Sequence, residues 1–334
     1  MIDKPVSESL HLRHFSGRAP RVVRMPNRVL EWALPLLLVA GCSPASMPGE
    51  ATGDLTSGKI VVVCSPEAHP VIARAVGAFE RLYPKARIEL QAGSSRDAVA
   101  ALFAARADMA VITREVVPEE RRAAVQGKVA VEGFRFARDA AVILLNAANP
   151  VDQLTLEDVR RIYSGEATHW SEFGGTSAAI EPVIQSPDAD MTEFFVEEVL
   201  GGEAIHAHSI RVESGDDVVR TVRERKGAVG YVTLNQSGPG TKPARLAALK
   251  GLPYYAADLE RVHDGEYPVT RFYNMVVRAK GPALTSGFIT YVTSFEGQKL
   301  IRAAGLVPTT VPVRFVRRSS MLSTHTQGDS SPTP

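Results

Sequence analysis

The sequence predicts an α/β fold of two lobes, in which mostly parallel sheets flanked by helices enclose a cleft. Continuous apolar runs such as residues 60–63 are typical of strands that are covered on both faces. Segments with apolar residues at helical spacing, such as 70–83, lie between these runs. The alternating units exceed what one small sheet holds, so we expect two lobes.

The first third of the chain shows this alternation most clearly. Ile72, Val76 and Phe79 share one helical face, and Ile88 and Leu90 alternate as in a strand. The expected elements are strand 60–63, helix 70–83, strand 87–92, helix 97–106 and strand 108–113.

Capping residues indicate where the later helices begin and end. Thr155 followed by Asp158 has the spacing of a capping box, Ser214 is a typical N-cap, and Gly305 a typical helix end. The expected elements are strand 140–146, a helix after Thr155, helices 191–200 and 214–226, strands 228–233 and 271–278, and helices within 283–304.

Basic residues followed by a short apolar run indicate a signal peptide over residues 1–41. The run at 29–41 is interrupted only by Glu31 and is too short to span a bilayer comfortably. Residues 1–24 fit no signal peptide, so we expect the true start at Met25.

The apolar run ends in Val39-Ala-Gly-Cys42, and small residues directly before a cysteine resemble a bacterial lipobox. The resemblance implies diacylation of Cys42, which makes a stable membrane anchor. An N-terminal hydrophobic helix with an incidental cysteine is the alternative. The expected organisation is a lipidated tether at 42–57, lobe 1 at 58–139, lobe 2 at 140–235, a return to lobe 1 at 236–316 and a disordered tail at 317–334.

Composition excludes several classes of protein. The 334 residues carry 38 Lys and Arg against 37 Asp and Glu, so no basic excess favours nucleic acid. With Cys42 lipidated, Cys64 has no disulfide partner and should behave as a small buried apolar residue. His206 and His208 have no third ligand nearby, so we expect a solvated loop and no metal. No motif indicates catalysis or a cofactor.

Four stretches, taken together, resemble the substrate-binding proteins of phosphate ABC transporters. They are Ala-Asp-Met-Ala-Val-Ile-Thr-Arg at 107–114, Leu-Thr-Leu-Glu-Asp-Val-Arg-Arg-Ile-Tyr at 154–163, Gly-Ala-Val-Gly-Tyr-Val at 227–232, and Ser-Phe-Glu-Gly-Gln-Lys-Leu-Ile-Arg-Ala-Ala-Gly at 294–305. The resemblance implies a two-lobed periplasmic-binding-protein-like fold of type II. It also implies a monomer that closes around one small ligand, phosphate or a similar oxyanion, and delivers it to an ABC permease.

The resemblance implies a phosphate site of hydroxyls, backbone amides and one arginine. Ser94 and Ser95 precede a helix and match this pattern, and Arg114 can pair with a bound anion. Both serines could instead cap the helix. Arg114 has three candidate structural partners instead: Glu115, Glu119 and Asp139.

Elsewhere the chain departs from the family pattern. In the first loop only Ser65 is kept, Pro66 lacks an amide donor, and Glu67 adds a negative charge.

The loop of lobe 2 departs further, because Gln185 and the stretch Asp188-Ala-Asp190-Met191 stand where the family has an arginine and two hydroxyls. Asp188 or Asp190 could cap the following helix. If both face the cleft together with Glu67, we expect weak or no phosphate binding in the usual mode, because a carboxylate about 4 Å from a phosphate charge opposes it by roughly 4 kcal/mol.

The favoured function is therefore an extracytoplasmic solute-binding lipoprotein of an ABC uptake system, and not an enzyme. By resemblance to lipoprotein sorting rules, Ser43 after the lipidated cysteine implies the outer membrane in a diderm organism, with the protein facing the periplasm. In a single-membrane organism the anchor would lie in the cytoplasmic membrane. Two alternatives stay open: a diverged member that binds another small solute, cationic or zwitterionic, and an interaction or signalling lipoprotein on the same fold.

Overall fold

The structure is a computed structural model that describes residues 53–236 and 238–309. The expected signal peptide, Cys42, most of the tether and the C-terminal tail lie outside the described residues. Within the described part, no helix has the length and apolar character needed to cross a membrane.

Strands and helices alternate along the chain, as the sequence predicts. The first part contains β1 (Gly58–Cys64), α1 (His69–Leu82), β2 (Ala86–Ala92), α2 (Ser95–Phe103), β3 (Met109–Ile112), α3 (Pro118–Gln126) and β4 (Val131–Asn146). The middle contains β5 (Gln153–Thr155), α4 (Leu156–Ser164), a 3-10 turn (Trp170–Phe173), β6 (Glu181–Ile184), α5 (Asp190–Glu198), β7 (Ile210–Arg211), α6 (Gly215–Glu224), β8 (Ala228–Thr233), β9 (Thr241–Pro243) and β10 (Arg245–Ala247). The last part contains α7 (Leu259–Asp264), β11 (Thr270–Arg278), α8 (Ala283–Thr293), α9 (Phe295–Ala303) and β12 (Val307–Pro308).

Local capping signals in the sequence are confirmed. The Thr155 hydroxyl accepts a hydrogen bond from the amide of Asp158 at 3.1 Å, and the Asp158 carboxylate accepts one from the amide of Thr155 at 2.8 Å. The Ser214 hydroxyl accepts from the amide of Asp217 and begins helix α6. Both caps satisfy backbone donors that the first helical turn leaves free.

A sheet of ten strands runs through the molecule in the order β2-β1-β3-β11-β4-β8-β6-β7, with β9 and β12 also paired to β4. Pairs at both ends are parallel, whereas β11 and β4 form the antiparallel centre. Strand β4 is 16 residues long and pairs with β11 along its first part and with β8 along its last part.

Two sets of buried clusters define two lobes. Lobe 1 is built on residues 58–139 and 270–306, with helices on both faces of its sheet. Lobe 2 is built on residues 140–269. Tyr267 and Val269 pack in the core of lobe 2, so the chain returns to lobe 1 at β11 rather than at residue 236, where the sequence suggested.

Candidate ligand-binding site between the lobes

The first residue of helix α2 contacts the first residue of helix α5 across the cleft between the lobes. The amide of Ser95 donates to Oδ1 of Asp190 at 2.9 Å, and the Ser95 hydroxyl donates to Oδ2 at 2.7 Å. The Thr113 hydroxyl donates to the same Oδ2 at 3.3 Å. Ser95, Thr113 and Asp190 are all buried, and Asp190 is only 6% exposed. These donors form a cradle that suits an anionic group, and the Asp190 carboxylate occupies it.

A second contact runs in the opposite direction. Glu67 follows β1 in lobe 1, and its Oε1 accepts a hydrogen bond from the amide of Met191, the second residue of helix α5, at 3.0 Å. Each lobe therefore places a carboxylate against the first turn of the other lobe's helix. A helix N-terminus favours negative charge, so both contacts are electrostatically matched.

Arg271 is the cation of this cluster. Its Nη2 donates to Oε2 of Glu67 at 3.1 Å and to Oδ2 of Asp139 at 2.9 Å, and its side chain is 2% exposed. The Tyr273 hydroxyl donates to the same Asp139 oxygen at 3.0 Å. The Arg271 guanidinium also lies 5.3 Å from the ring centre of Phe194 in helix α5, so it contacts both lobes.

The cluster contains three carboxyl groups and one cation. Burial raises the pKa of Glu67 above its ordinary value, and the nearby Asp190 and Asp139 act in the same direction while Arg271 opposes them. Burial alone would lower the pKa of Arg271, but attraction to Glu67 and Asp139 outweighs it and raises the pKa above its ordinary value. Arg271 therefore stays charged, and a further anion meets more negative than positive groups.

The sequence-predicted site residues divide into groups. Ser95, Asp190, Glu67 and the Met191 amide come together in the cradle. Ser65 is buried nearby at the end of β1, and its hydroxyl has no hydrogen-bond partner among the described residues.

Ser94 and Asp188 lie outside the cradle contacts. Ser94 is the N-cap of helix α2 and accepts from the amide of Asp97 at 3.1 Å. Asp188 is exposed. The expectation that Asp188 or Asp190 caps helix α5 is wrong: Ala189 is the N-cap without a side-chain bond, because Asp190 reaches into lobe 1 instead.

Arg114 holds a structural partner that the sequence did not indicate. Its Nη1 and Nη2 donate to both oxygens of Glu120 in helix α3, at 2.9 and 2.8 Å. Both side chains are about one-seventh exposed. Of the partners considered from the sequence, Glu115 offers only its backbone carbonyl, and Asp139 pairs with Arg271.

Sequence reasoning missed Thr113 and Arg271, and it considered Asp139 only as a partner of Arg114. A usable signal existed for the two charged residues, because each interrupts a stretch that forms a buried strand, and buried charges are usually paired. The pairing of Arg271 with Asp139 could not be predicted from sequence patterns, because the two residues are 132 positions apart.

A crevice of about 1000 Å³ lies beside the cradle. Arg114 and Phe272 line it from lobe 1, and Glu193 and Phe194 line it from lobe 2. At its rim Arg96 of lobe 1 pairs with Glu193 at 2.8 Å.

The remaining candidates lie away from the cleft or are inert. His206 and His208 are exposed and their rings stack, and the described residues contain no group of three or more side chains suited to a metal. Cys64 is buried in the lobe 1 core as expected, and burial raises its pKa well above the ordinary value, which keeps the thiol protonated.

Comparison with protein families and known proteins places these features in context. Residues 49–296 match the PBP superfamily domain. The phosphate-binding protein PstS of Bacillus subtilis is 24% identical over 288 residues, covering 82% of this chain and 91% of its own length. The phosphate-binding protein PstS of Pseudomonas aeruginosa is 24% identical over 292 residues, covering 81% and 88%.

Solved structures agree in fold. An ABC-type phosphate transport receptor from Vibrio cholerae aligns with a TM-score of 0.66 at 21% identity, over 75% of this chain and 100% of that one. PstS from Borrelia burgdorferi aligns with a TM-score of 0.57 at 17% identity, over 75% and 99%. The two-lobed α/β architecture predicted from the sequence is confirmed.

Proposed function

Because the chain belongs to the PBP superfamily, among the substrate-binding proteins of phosphate ABC transporters, we propose that it is the extracytoplasmic solute-binding component of such an uptake system, with a small oxyanion as its ligand. Phosphate is the oxyanion that its relatives are named for. Members of this family bind and deliver solutes, and the proposed role is accordingly binding rather than catalysis.

One observation carries the proposal. The Ser95 amide, the Ser95 hydroxyl and the Thr113 hydroxyl all converge on two oxygens of one anionic group at a helix N-terminus inside the cleft. Such convergent donors suit a tetrahedral oxyanion, whose oxygens would replace those of the Asp190 carboxylate. Ser65 follows β1, and its buried hydroxyl has no hydrogen-bond partner among the residues that the structure describes, so we propose it as a further donor to the ligand.

Two residues flank this site in the proposal. Arg114 lines the adjoining crevice and would reach an anion only by leaving Glu120. Ser94 would contribute mainly by capping helix α2.

Delivery would require the partners that the family implies: an ABC permease, and a membrane anchor at Cys42. The small residues before Cys42 support lipidation. Cys42→Ser should release an exported monomer from the membrane fraction, and mass spectrometry of the wild-type N-terminal peptide should find diacylglycerol on Cys42. An unmodified Cys42 in a membrane-extracted protein would reject the anchor.

A diverged ligand is the second candidate, and the occupied cradle favours it. Glu67 and Asp190 already fill the positions next to both helix N-termini, which disfavours another anion. A cationic or zwitterionic solute in the adjoining crevice would meet Glu193 and Arg114 on opposite walls.

Calorimetry on the full chain carrying Cys42→Ser separates the two candidates. Phosphate, sulfate, molybdate and amino acids would be titrated, and melting followed at saturating ligand. A ligand at a hundred times its Kd stabilises by about 2.7 kcal/mol. Oxyanion binding supports the proposal. Binding of amino acids alone, with no oxyanion response even after Asp190 is replaced, would reject it in favour of the diverged candidate.

A further inference from the structure

The three donors of the cradle are already satisfied by the protein itself. Oδ1 and Oδ2 of Asp190 accept from the Ser95 amide, the Ser95 hydroxyl and the Thr113 hydroxyl, at distances between 2.7 and 3.3 Å. Asp190 belongs to lobe 2, whereas Ser95 and Thr113 belong to lobe 1. Every one of these bonds therefore crosses the cleft and is lost when the lobes separate.

Two further contacts cross at the same place. The Met191 amide of lobe 2 donates to Glu67 of lobe 1, and Arg96 of lobe 1 pairs with Glu193 of lobe 2 at the rim. The Arg96 side chain of this pair is 73% exposed, so the pair contributes little. The bonds of Asp190 are buried and charge-assisted, which makes them the strongest of the set.

We infer that Asp190 is a resident carboxylate ligand, which occupies the oxyanion cradle and holds the two lobes closed when no solute is bound. This inference rests on the proposed function for the identity of the solute, but the closure itself requires no solute. A free oxyanion gains access to the cradle only when Asp190 leaves it.

A tethered carboxylate is a strong competitor. A group held on the same chain acts at an effective concentration on the order of millimolar or above, without the cost of association that a free anion meets. Glu67 and Asp139 also lie close to the cradle, so an entering anion faces like charges there. Both effects lower the affinity of the wild-type protein for oxyanions.

The chain offers a matched control two residues away. Asp188 carries the same charge in the same loop, is exposed, and does not bond to the cradle. Asp188→Ser and Asp190→Ser change net charge equally, and only the second removes the carboxylate from Ser95 and Thr113.

The experiment uses the full chain with Cys42→Ser and measures two quantities. Small-angle X-ray scattering without solute reports closure, and calorimetry with inorganic phosphate reports affinity. We expect Asp190→Ser to increase the radius of gyration and to raise phosphate affinity by at least about tenfold, which is ~1.4 kcal/mol. Asp188→Ser should leave the radius of gyration unchanged and keep phosphate affinity within twofold of wild type.

The outcomes distinguish this inference from the proposed function. An unchanged radius of gyration for Asp190→Ser overturns the inference, even where wild-type protein binds phosphate. An increased radius with no oxyanion binding in either variant supports the resident ligand and rejects the oxyanion function. If Asp190→Ser fails to fold, Ser95→Ala removes one donor from the other lobe, and it should also increase the radius without solute. A radius equal to that of wild type again overturns the inference.

Discussion

Arg271 and Asp139 lie directly opposite each other on the antiparallel strands β11 and β4, at the point where both strands pass between the lobes. The Arg271 guanidinium donates two hydrogen bonds to one Asp139 oxygen, at 2.9 and 3.1 Å, and both side chains are almost completely buried. The buried pair therefore ties strands β4 and β11 together at the position where they connect lobe 1 to lobe 2.

Replacement of Arg271 should be severely destabilising. Arg271→Met leaves Asp139 and Glu67 buried without their cation, and breaking a buried pair costs about 3–5 kcal/mol. The free energy of unfolding in urea measures this. Arg122→Met is the control, because its pair with Glu119 is exposed and should contribute less than about 1 kcal/mol. Equal losses in both variants would contradict the prediction.

Glu67 should give stability a distinct pH dependence. Burial raises its pKa, so the folded state holds a proton that the unfolded chain releases as pH rises past the ordinary glutamate value. This contribution is complete at low pH and is lost as pH rises through the raised pKa, so stability falls across that interval.

Comparison of wild type with Glu67→Gln tests the sign. Urea unfolding at several pH values should give a smaller decline with rising pH in Glu67→Gln, because the titrating group is gone. Glu132→Gln, at an exposed position, should retain the wild-type decline. A decline that persists unchanged in Glu67→Gln would assign it to another group.

Glu120 should limit the access of Arg114 to anions. The bidentate pair commits the guanidinium to helix α3. Glu120→Gln removes the competing charge, so we expect phosphate affinity to rise severalfold. Calorimetry measures phosphate affinity in the wild type, Glu120→Gln, Arg114→Met and the double variant, which together form a double-mutant cycle. The gain should disappear in the double variant, and a gain that survives there would exclude Arg114 as its source.

Thr155 should contribute a local share of stability. Thr155→Ala removes the acceptor for the Asp158 amide and should cost about 0.5–2 kcal/mol in urea unfolding. Thr290→Ala, at an exposed position inside helix α8, should stay within about 0.5 kcal/mol. A Thr155→Ala loss no larger than that of Thr290→Ala would mean that the cap is replaced by solvent.

Sequence reasoning succeeded where the physics is local. The Thr155 and Ser214 caps depend on residues three apart, and the alternation of strands and helices depends on short-range patterns. The family pattern raised the cleft as one possible place for Glu67 and Asp190 without deciding it. Their partners could not be inferred, because a cap depends on neighbouring residues whereas the bond from Ser95 to Asp190 spans 95 positions.

Arg114 illustrates a failure at short range. Glu120 is only six residues away, yet Glu115 and Glu119 looked equally suitable. The start of helix α3 determines which glutamate pairs with Arg114. The helix begins at Pro118, and the Glu120 carboxylate accepts a hydrogen bond from the amide of Val117. This bond orients the carboxylate toward Arg114. Partner choice here depends on the helix start to within one residue, which sequence patterns do not define.

Within the described residues, strands β4 and β11 carry the chain between the lobes and are hydrogen-bonded to each other there, and the chain meets the lobe 2 core again at Val307. A twisting motion would shear those bonds, whereas a bend across the ribbon leaves them intact. Opening should therefore be a hinge rotation of one lobe about this ribbon, with Arg271 and Asp139 near the rotation axis. Such a rotation would break the bonds from Ser95 to Asp190, which join one lobe to the other, while the bonds between Arg271 and Asp139 lie within the ribbon and are kept.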